Sequence, residues 1–261
     1  EPKGIRKPSV GLRLSCWMRF TKIEQYEIVM QILLILLAAL APVAILLWYI
    51  YFKDSLQPEP TRLLVKAFWF GILSVFLVFV TVYPLQLLTG FGLDESETIS
   101  EAFANAFCTA AIPEEAAKLL VLWLLLRKNP YFDEHFDGIV YAVCIGMGFA
   151  AFENILYLFQ SYDSWISVAI VRALFAVPGH FLYAVIMGYY YSLWYFRIKR
   201  NWQTFIMILL GPILAHGIYD GILFSMDLDE SLSVVLFFPF LFFFNKLRKI
   251  GKKHIAELAN K

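Results

Sequence analysis

Seven long apolar runs are the feature that most limits how this chain can fold. They lie at 28–52, 63–88, 99–126, 138–160, 165–196, 204–225 and 231–246. A helix needs about 20 apolar residues to cross the hydrocarbon core of a bilayer, and most of these runs reach that length. The chain is 60% hydrophobic, against about 45–50% in soluble domains. We therefore predict an all-α fold, a polytopic transmembrane helical bundle of about seven to eight spans.

Basic segments flank the apolar part of the chain. We expect a basic N-terminal segment at 1–27, suited to the membrane interface, a membrane domain at 28–246, and a basic cytoplasmic tail at 247–261. No internal repeat or low-complexity linker divides the membrane domain.

The distribution of lysine and arginine predicts the orientation in the membrane. The connections at 127–128 and 197–200 and the C-terminal tail are basic, whereas those at 94–97, 163 and 227–230 are acidic. Because cytoplasmic loops carry the excess of positive charge, the basic connections and the C-terminus are expected in the cytoplasm. Seven spans would place the basic N-terminus outside, against this rule, so the side of the N-terminus stays open.

Net charge and cysteine spacing argue against nucleic-acid binding and against cysteine-based sites. The net charge of the 261 residues is +1, which gives no basis for nucleic-acid binding. The three cysteines, Cys16, Cys108 and Cys144, are far apart and lack CxxC spacing. They therefore predict neither a disulfide framework nor a thiolate zinc site.

An acidic pair interrupts the third apolar run. Glu114 and Glu115 follow Pro113 in the stretch Ile112–Lys118. A charge near the middle of a membrane costs roughly 2.5–3.5 kcal/mol or more, so such a pair is a candidate functional site. Lys118 is four residues after Glu114 and shares its helix face, where it can compensate one carboxylate and leave the other as a base.

Three later runs also carry ionisable or amide groups. Glu153 and Asn154 follow the small residues of Gly146–Gly148, which allow a neighbouring helix to approach. His180 lies in the sequence Val177–His180, where proline and glycine predict a kink, with Arg172 two turns earlier. His216 and Asp220 share one helix face, so the aspartate can orient the imidazole, or both can bind a metal. These groups could converge in a packed bundle.

Several known intramembrane sites are absent from the sequence. There is no His-Glu-x-x-His motif, no Gly-x-Ser serine motif, and no Gly-x-Gly-Asp motif. A site built from glutamate and histidine remains.

The ordered motifs resemble the PrsW family of bacterial membrane proteases, relatives of the type II CAAX prenyl endopeptidases. They are Glu-Glu-x-x-Lys at 114–118, Phe-x-x-x-Glu-Asn at 149–154, a mid-span His180, and His-x-x-x-Asp at 216–220. The resemblance covers about 100–225. In the CAAX relatives a histidine matches Glu153, and an asparagine usually stands where Asp220 does.

The resemblance implies hydrolysis of a peptide bond in a membrane protein, which could be a single-span anti-sigma factor, near the outer face of the bacterial cytoplasmic membrane. In the leading hypothesis Glu114 activates water without a cofactor, and Glu115 tunes the pKa of Glu114 or orients its carboxylate. His216, held by Asp220, stabilises the oxyanion or protonates the leaving amine, and Glu153 and His180 complete the pocket. Supporting residues are Lys118, Asn154 and Arg172.

Two alternatives stay open. The same site could be a zinc metalloprotease, with Glu114, Glu153, His180 and His216 as ligands. Buried carboxylates and imidazoles also serve as proton relays, so a proton-coupled carrier or a non-catalytic scaffold is the third hypothesis.

Overall fold

The computed structural model describes residues 22–54, 57–89, 92 and 96–259, and within these ranges the chain is helical with no strand. The all-α prediction is therefore confirmed for the described part of the chain. Most of the predicted segment 1–27 lies outside the described residues.

Nine α-helices follow one another along the described chain. They are α1 Lys22–Lys53, α2 Thr61–Thr89, α3 Ile99–Asn105, α4 Ile112–Leu126, α5 Asp137–Gln160, α6 Trp165–Val171, α7 Val177–Tyr195, α8 Trp202–Met226 and α9 Glu230–Ala259. A π-helical segment at Ala106–Ala111 joins α3 to α4, and another at Arg172–Ala176 joins α6 to α7.

Six segments of the described chain are long and apolar enough to cross a membrane. They are Gln25–Lys53, Thr61–Leu88, Asp137–Gln160, Tyr162–Tyr195, Trp202–Met226 and Glu230–Ala259. The predicted run at 99–126 is also helical over its whole length, but its acidic pair and Lys118 lower its apolar character. The prediction of several spans is thus confirmed, but the count of seven to eight is not, since six such segments are found in the described chain.

The last helix is longer than the apolar run that it contains. The apolar run was expected to end at 246, but α9 continues to Ala259, so the proposed boundary between membrane domain and tail falls inside one helix. His254 on this extension stacks on Tyr189 of α7, with ring centroids 3.8 Å apart. This packing explains why the basic residues after 246 stay helical.

Helix α5 lies at the centre of the bundle, and glycines let its neighbours approach closely. A Cβ placed on Gly148 would overlap the backbone carbonyl of Phe68 on α2, and one on Gly71 would overlap the carbonyl of Ile145. On the α7 side, a Cβ on Gly146 would lie 2.8 Å from that of Ala184. The close approach predicted for Gly146 and Gly148 is confirmed, and it brings α5 against two helices at once.

The α1–α2 connection holds buried acidic groups that sequence analysis did not single out. The Asp54 carboxylate accepts a hydrogen bond from the Glu59 backbone amide at 3.2 Å, and Tyr141 of α5 donates to the Glu59 carboxylate. Both acidic residues are buried. Burial raises the pKa of Asp54 to about 6, and burial also raises the pKa of Glu59.

These shifts predict a pH-dependent stability. Because the folded pKa of Asp54 lies above its ordinary value of 3.8, the folded state holds the proton more tightly, and stability falls as the pH rises from about 4 to 6. The loss is at most about 3 kcal/mol. We expect Asp54→Asn to raise the midpoint of thermal unfolding at pH 7 and to flatten its pH dependence. An unchanged pH profile of the midpoint in this variant would contradict the assignment.

Candidate active site

The acidic pair lies in the first turn of α4. Pro113 takes the second position of this helix, directly after the π-helical segment. Such a local change in helix geometry accommodates the missing N–H of a proline within a continuous helix. The Lys118 ammonium lies 2.8 Å from Oε1 of Glu115 and 3.2 Å from Oε2 of Glu114. Lys118 therefore bridges both carboxylates, whereas the sequence analysis had it compensate only one.

Helix α8 contributes His216 and Asp220 from one face. Nε2 of His216 lies 3.0 Å from Oδ2 of Asp220 and 4.0 Å from Oε2 of Glu114, and Nδ1 lies 3.0 Å from Oε1 of Glu115. The predicted pairing of His216 with Asp220 is present. Because both ring nitrogens face carboxylates, the ring can donate to both only as an imidazolium.

The glycines beside His216 set the position of α8. A Cβ on Gly217 would overlap the ring of Phe107, and one on Gly221 would lie 2.5 Å from the ring of Phe103. The segment from α3 to the π-helical turn therefore packs directly on this face of α8. This contact holds the His216 face against the start of α4.

His180 enters from α7, where the sequence repeats the arrangement seen at the acidic pair. Pro178 takes the second position of α7, directly after the π-helical segment, so the predicted kink is an insertion in the helix rather than a break. Nδ1 of His180 lies 3.3 Å from the Lys118 ammonium. Because an ammonium only donates, Nδ1 accepts and Nε2 carries the proton.

An outer layer supports His180. Its Nε2 lies 2.9 Å from Oε2 of Glu153, and the Arg172 guanidinium lies 2.5 Å from the same oxygen. Arg172 Nε also donates to Oδ1 of Asn154 at 2.6 Å, and Asn154 donates to the backbone carbonyl of Ala39 on α1. Asn154 thus links α5 to α1 and to Arg172, and Arg172 is the counter-ion of Glu153.

Three aromatic residues belong to the cluster, although sequence analysis gave them no role. Tyr183 stacks on His216 at 4.7 Å between ring centroids, and its buried hydroxyl has no hydrogen-bond partner among the described residues. The Lys118 ammonium lies 3.9 Å from the ring centroid of Phe149, and Arg172 lies 4.0 Å from that of Tyr157. A possible signal for Tyr183 is its spacing, one helical turn after His180.

Exposure differs within the cluster. Glu115 is 0% exposed, whereas Glu114 is 8% exposed. The side chains of Glu153, Asp220 and Arg172 are 18%, 15% and 12% exposed. The side of these three residues is therefore the least enclosed part of the cluster and is called its access side. Glu114 is the less enclosed carboxylate of the pair.

Four residues of the cluster form a donor set that is suited to a metal ion. One donor atom each from Glu114, Glu115, His180 and His216 all lie within 4.8 Å of one another. Carboxylate oxygens and imidazole nitrogens are suitable zinc ligands, and Oε2 of Glu115 is buried with no partner among the described residues. The set differs from the predicted one, because Glu115 takes the place of Glu153, which lies at the other ring nitrogen of His180.

The structure brings all nine sequence-predicted residues into one connected network. They are Glu114, Glu115, Lys118, Glu153, Asn154, Arg172, His180, His216 and Asp220. The convergence of four separate apolar runs is therefore present, although the roles of the residues stay predictions. His135 lies outside this network and packs its ring against Phe196.

Comparisons with known proteins agree with the motifs. Residues 59–244 match the family described as "PrsW family intramembrane metalloprotease". The chain is 36% identical to Protease PrsW of Geobacillus kaustophilus over 73% of this chain and 80% of that protein. It is 34% identical to Protease PrsW of Bacillus subtilis over 86% of this chain and 97% of that protein. It is 36% identical to Protease PrsW of Clostridioides difficile over 72% of this chain and 78% of that protein.

No solved structure matches the chain. The match to the family covers more than half of the sequence and includes every residue of the buried network except Ala39. The resemblance inferred from four ordered motifs is therefore confirmed, and this membrane protein belongs to the PrsW family of intramembrane proteases.

Proposed function

We propose that the chain hydrolyses a peptide bond of a membrane protein with a water molecule activated by Glu114. The observation that carries the proposal is the meeting of two carboxylates and two imidazoles within 4.8 Å, from three helices of the bundle. General bases and acids must lie within hydrogen-bond reach of the reacting atoms, and ionisable groups inside a membrane are candidates for a functional site.

Glu114 is the base in this proposal because it is the accessible member of the pair. Glu115 is fully buried and bound to Lys118 and His216, so it holds those two groups in place. Lys118 fixes the orientation of both carboxylates. A base of this kind contributes about 10²–10⁴ to the rate.

His216 supplies the proton or stabilises the oxyanion. Asp220 and Glu115 hold its ring between them at 3.0 Å on each side, which fixes its plane and favours the charged form. The ring of Tyr183 stacks on that of His216, and its hydroxyl, which has no partner among the described residues, offers a second donor to a developing oxyanion. Donors of this type each contribute about 10²–10³.

Zinc hydrolysis at the same site is the second candidate. Glu114, Glu115, His180 and His216 would hold the ion, and the unpartnered oxygen of Glu115 favours this reading. When bound, zinc acts as a Lewis acid and activates water. Lys118 lies between these ligands, 2.8–3.3 Å from three of them, and already supplies a positive charge there. For this reason we favour the reading without metal.

The favoured reading predicts that cleavage does not depend on zinc. Purified protein treated with a chelator should keep its rate, and elemental analysis should find much less than one zinc ion per chain. Loss of cleavage on chelation with recovery on added zinc would instead establish the metalloprotease. A Lys118→Met variant provides a further check, because removal of the competing ammonium should raise zinc retention only if the four ligands bind zinc.

The substrate in this proposal is a single-span membrane protein cut near the outer face, which could be an anti-sigma factor. The network is nearer the ends of α5 and α8 that lead into the acidic connections, and those connections are expected outside the cell. The C-terminus is then cytoplasmic.

Cleavage of single-span reporters by the purified protein tests the proposal. The expected result is cut peptides with one defined new terminus, identified by mass spectrometry. If a varied panel of reporters stays intact while proteoliposomes show proton-coupled uptake of solutes, the network is a proton relay and the peptidase proposal is wrong.

A further inference from the structure

An apolar groove lies between α4, α7 and α8, at the end of the bundle opposite the access side of the buried network. Its volume is about 740 Å³, within the range of about 300–1,000 Å³ found for ligand pockets. Its walls are aliphatic and aromatic, formed by Leu119, Ile206, Leu209, Ile213 and other apolar residues. Arg127 is the one charged residue among those that line the groove.

Two arginines stand at the same end of this groove. The guanidinium of Arg127 lies 4.9 Å from the ring centroid of Trp123, and that of Arg200 lies 5.1 Å from the ring centroid of Trp194. Both tryptophans line the groove. Among the described residues, neither arginine has a carboxylate within 4 Å. The N-terminus of α8, at Trp202, adds the positive end of a helix dipole.

The length of the groove matches one leaflet of a membrane. From Leu119 to Arg127 is eight helical residues, or about 12 Å, and Phe205 to Ile213 spans the same length on α8. Half of the hydrocarbon core is about 15 Å thick. The groove thus runs from a positively charged, tryptophan-rich end to near the middle of the membrane, which is the depth of an acyl chain. A crossing helix of another protein would need a longer groove.

We propose that this groove binds an anionic phospholipid, with the headgroup phosphate at Arg127 and Arg200 and an acyl chain along α4 and α8. Basic pockets between transmembrane helices are known to hold anionic headgroups, and tryptophans are enriched at the headgroup level. The site is separate from the buried network and does not depend on the proposed peptidase activity.

Native mass spectrometry of the purified full chain tests this proposal. The probes are phosphatidylglycerol, which is anionic, and phosphatidylcholine, which is zwitterionic, at equal concentration. The wild type should retain phosphatidylglycerol preferentially. In the double variant Arg127→Gln/Arg200→Gln the preference should fall about tenfold or more, since two cations beside the headgroup are lost. Lys128→Gln is the matched control, because Lys128 is an exposed cation that does not line the groove.

A variant with a larger side chain in the groove tests whether a lipid acyl chain occupies it. Leu209→Trp should lower retention of phosphatidylglycerol, while its thermal unfolding midpoint stays close to that of the wild type. An unchanged lipid preference in the double variant, or an equal loss in Lys128→Gln, would overturn the proposal. If Leu209→Trp leaves lipid retention intact but blocks crosslinking of a single-span reporter, the groove binds the substrate segment and the lipid assignment is wrong.

Discussion

Glu114→Gln should lower the rate of reporter cleavage by about 10² or more, because the amide cannot take a proton from water. The fold should survive the change. Glutamine has nearly the same volume, and Lys118 keeps its second partner, Glu115, at 2.8 Å. The measurement is the initial cleavage rate in detergent, compared at equal amounts of folded protein. Near-wild-type cleavage by this variant would remove Glu114 from the role of base.

Two further variants separate the base from its neighbours. Glu27→Gln changes an exposed carboxylate on α1 and should leave both rate and stability unchanged. Glu115→Gln should lower the unfolding midpoint as well as the rate, because this fully buried carboxylate holds both Lys118 and His216. Removing one partner of a buried charged network costs about 3–5 kcal/mol. Loss of rate alone therefore indicates a general base, whereas loss of both rate and stability indicates a residue that holds its neighbours in place.

Gly148→Ala should destabilise the bundle by more than about 3 kcal/mol, beyond the usual cost of overpacking. The added methyl would overlap the backbone carbonyl of Phe68, and a carbonyl inside α2 cannot move without moving the helix. Separation of α5 from α2 would also displace Glu153, which lies five residues later on α5. We expect a large fall in the thermal unfolding midpoint, together with loss of cleavage.

Gly251→Ala is the control for this prediction. A Cβ at Gly251 would meet the end of the Leu182 side chain, which can rotate away. Alanine also favours the helix over glycine by about 1 kcal/mol, so this variant should be close to neutral. Equal destabilisation by the two substitutions would show that the α2–α5 contact has no special role.

The membrane class, the helical fold and the composition of the buried network could be predicted because each has a local signal. Apolar runs of about 20 residues indicate spans wherever they occur. A carboxylate or imidazole inside such a run is costly, so Glu114, Glu153, His180, His216 and Asp220 stand out without any knowledge of contacts.

Contacts between helices could not be predicted in this way. The sequence indicated that Lys118 shares a face with Glu114, but not that it also reaches Glu115 and His180. It likewise contained no signal that α9 continues to Ala259, because the polar residues after 246 are stabilised by packing on α7. The donor set suited to a metal includes Glu115 rather than the predicted Glu153. This difference also depends on contacts between helices, because Nε2 of His180 faces Glu153 on α5.

By itself, the sequence determined which groups this protein places in the membrane, because the cost of burying charge depends on residue type and span alone. Only the tertiary structure decided which of them meet, which are fully enclosed and which are less so. Those outcomes depend on helix rotation and spacing, set here by the glycine contacts of α5 and α8 and by two π-helical turns before Pro113 and Pro178. Distances between groups on different helices are properties of the packed bundle and of no single segment.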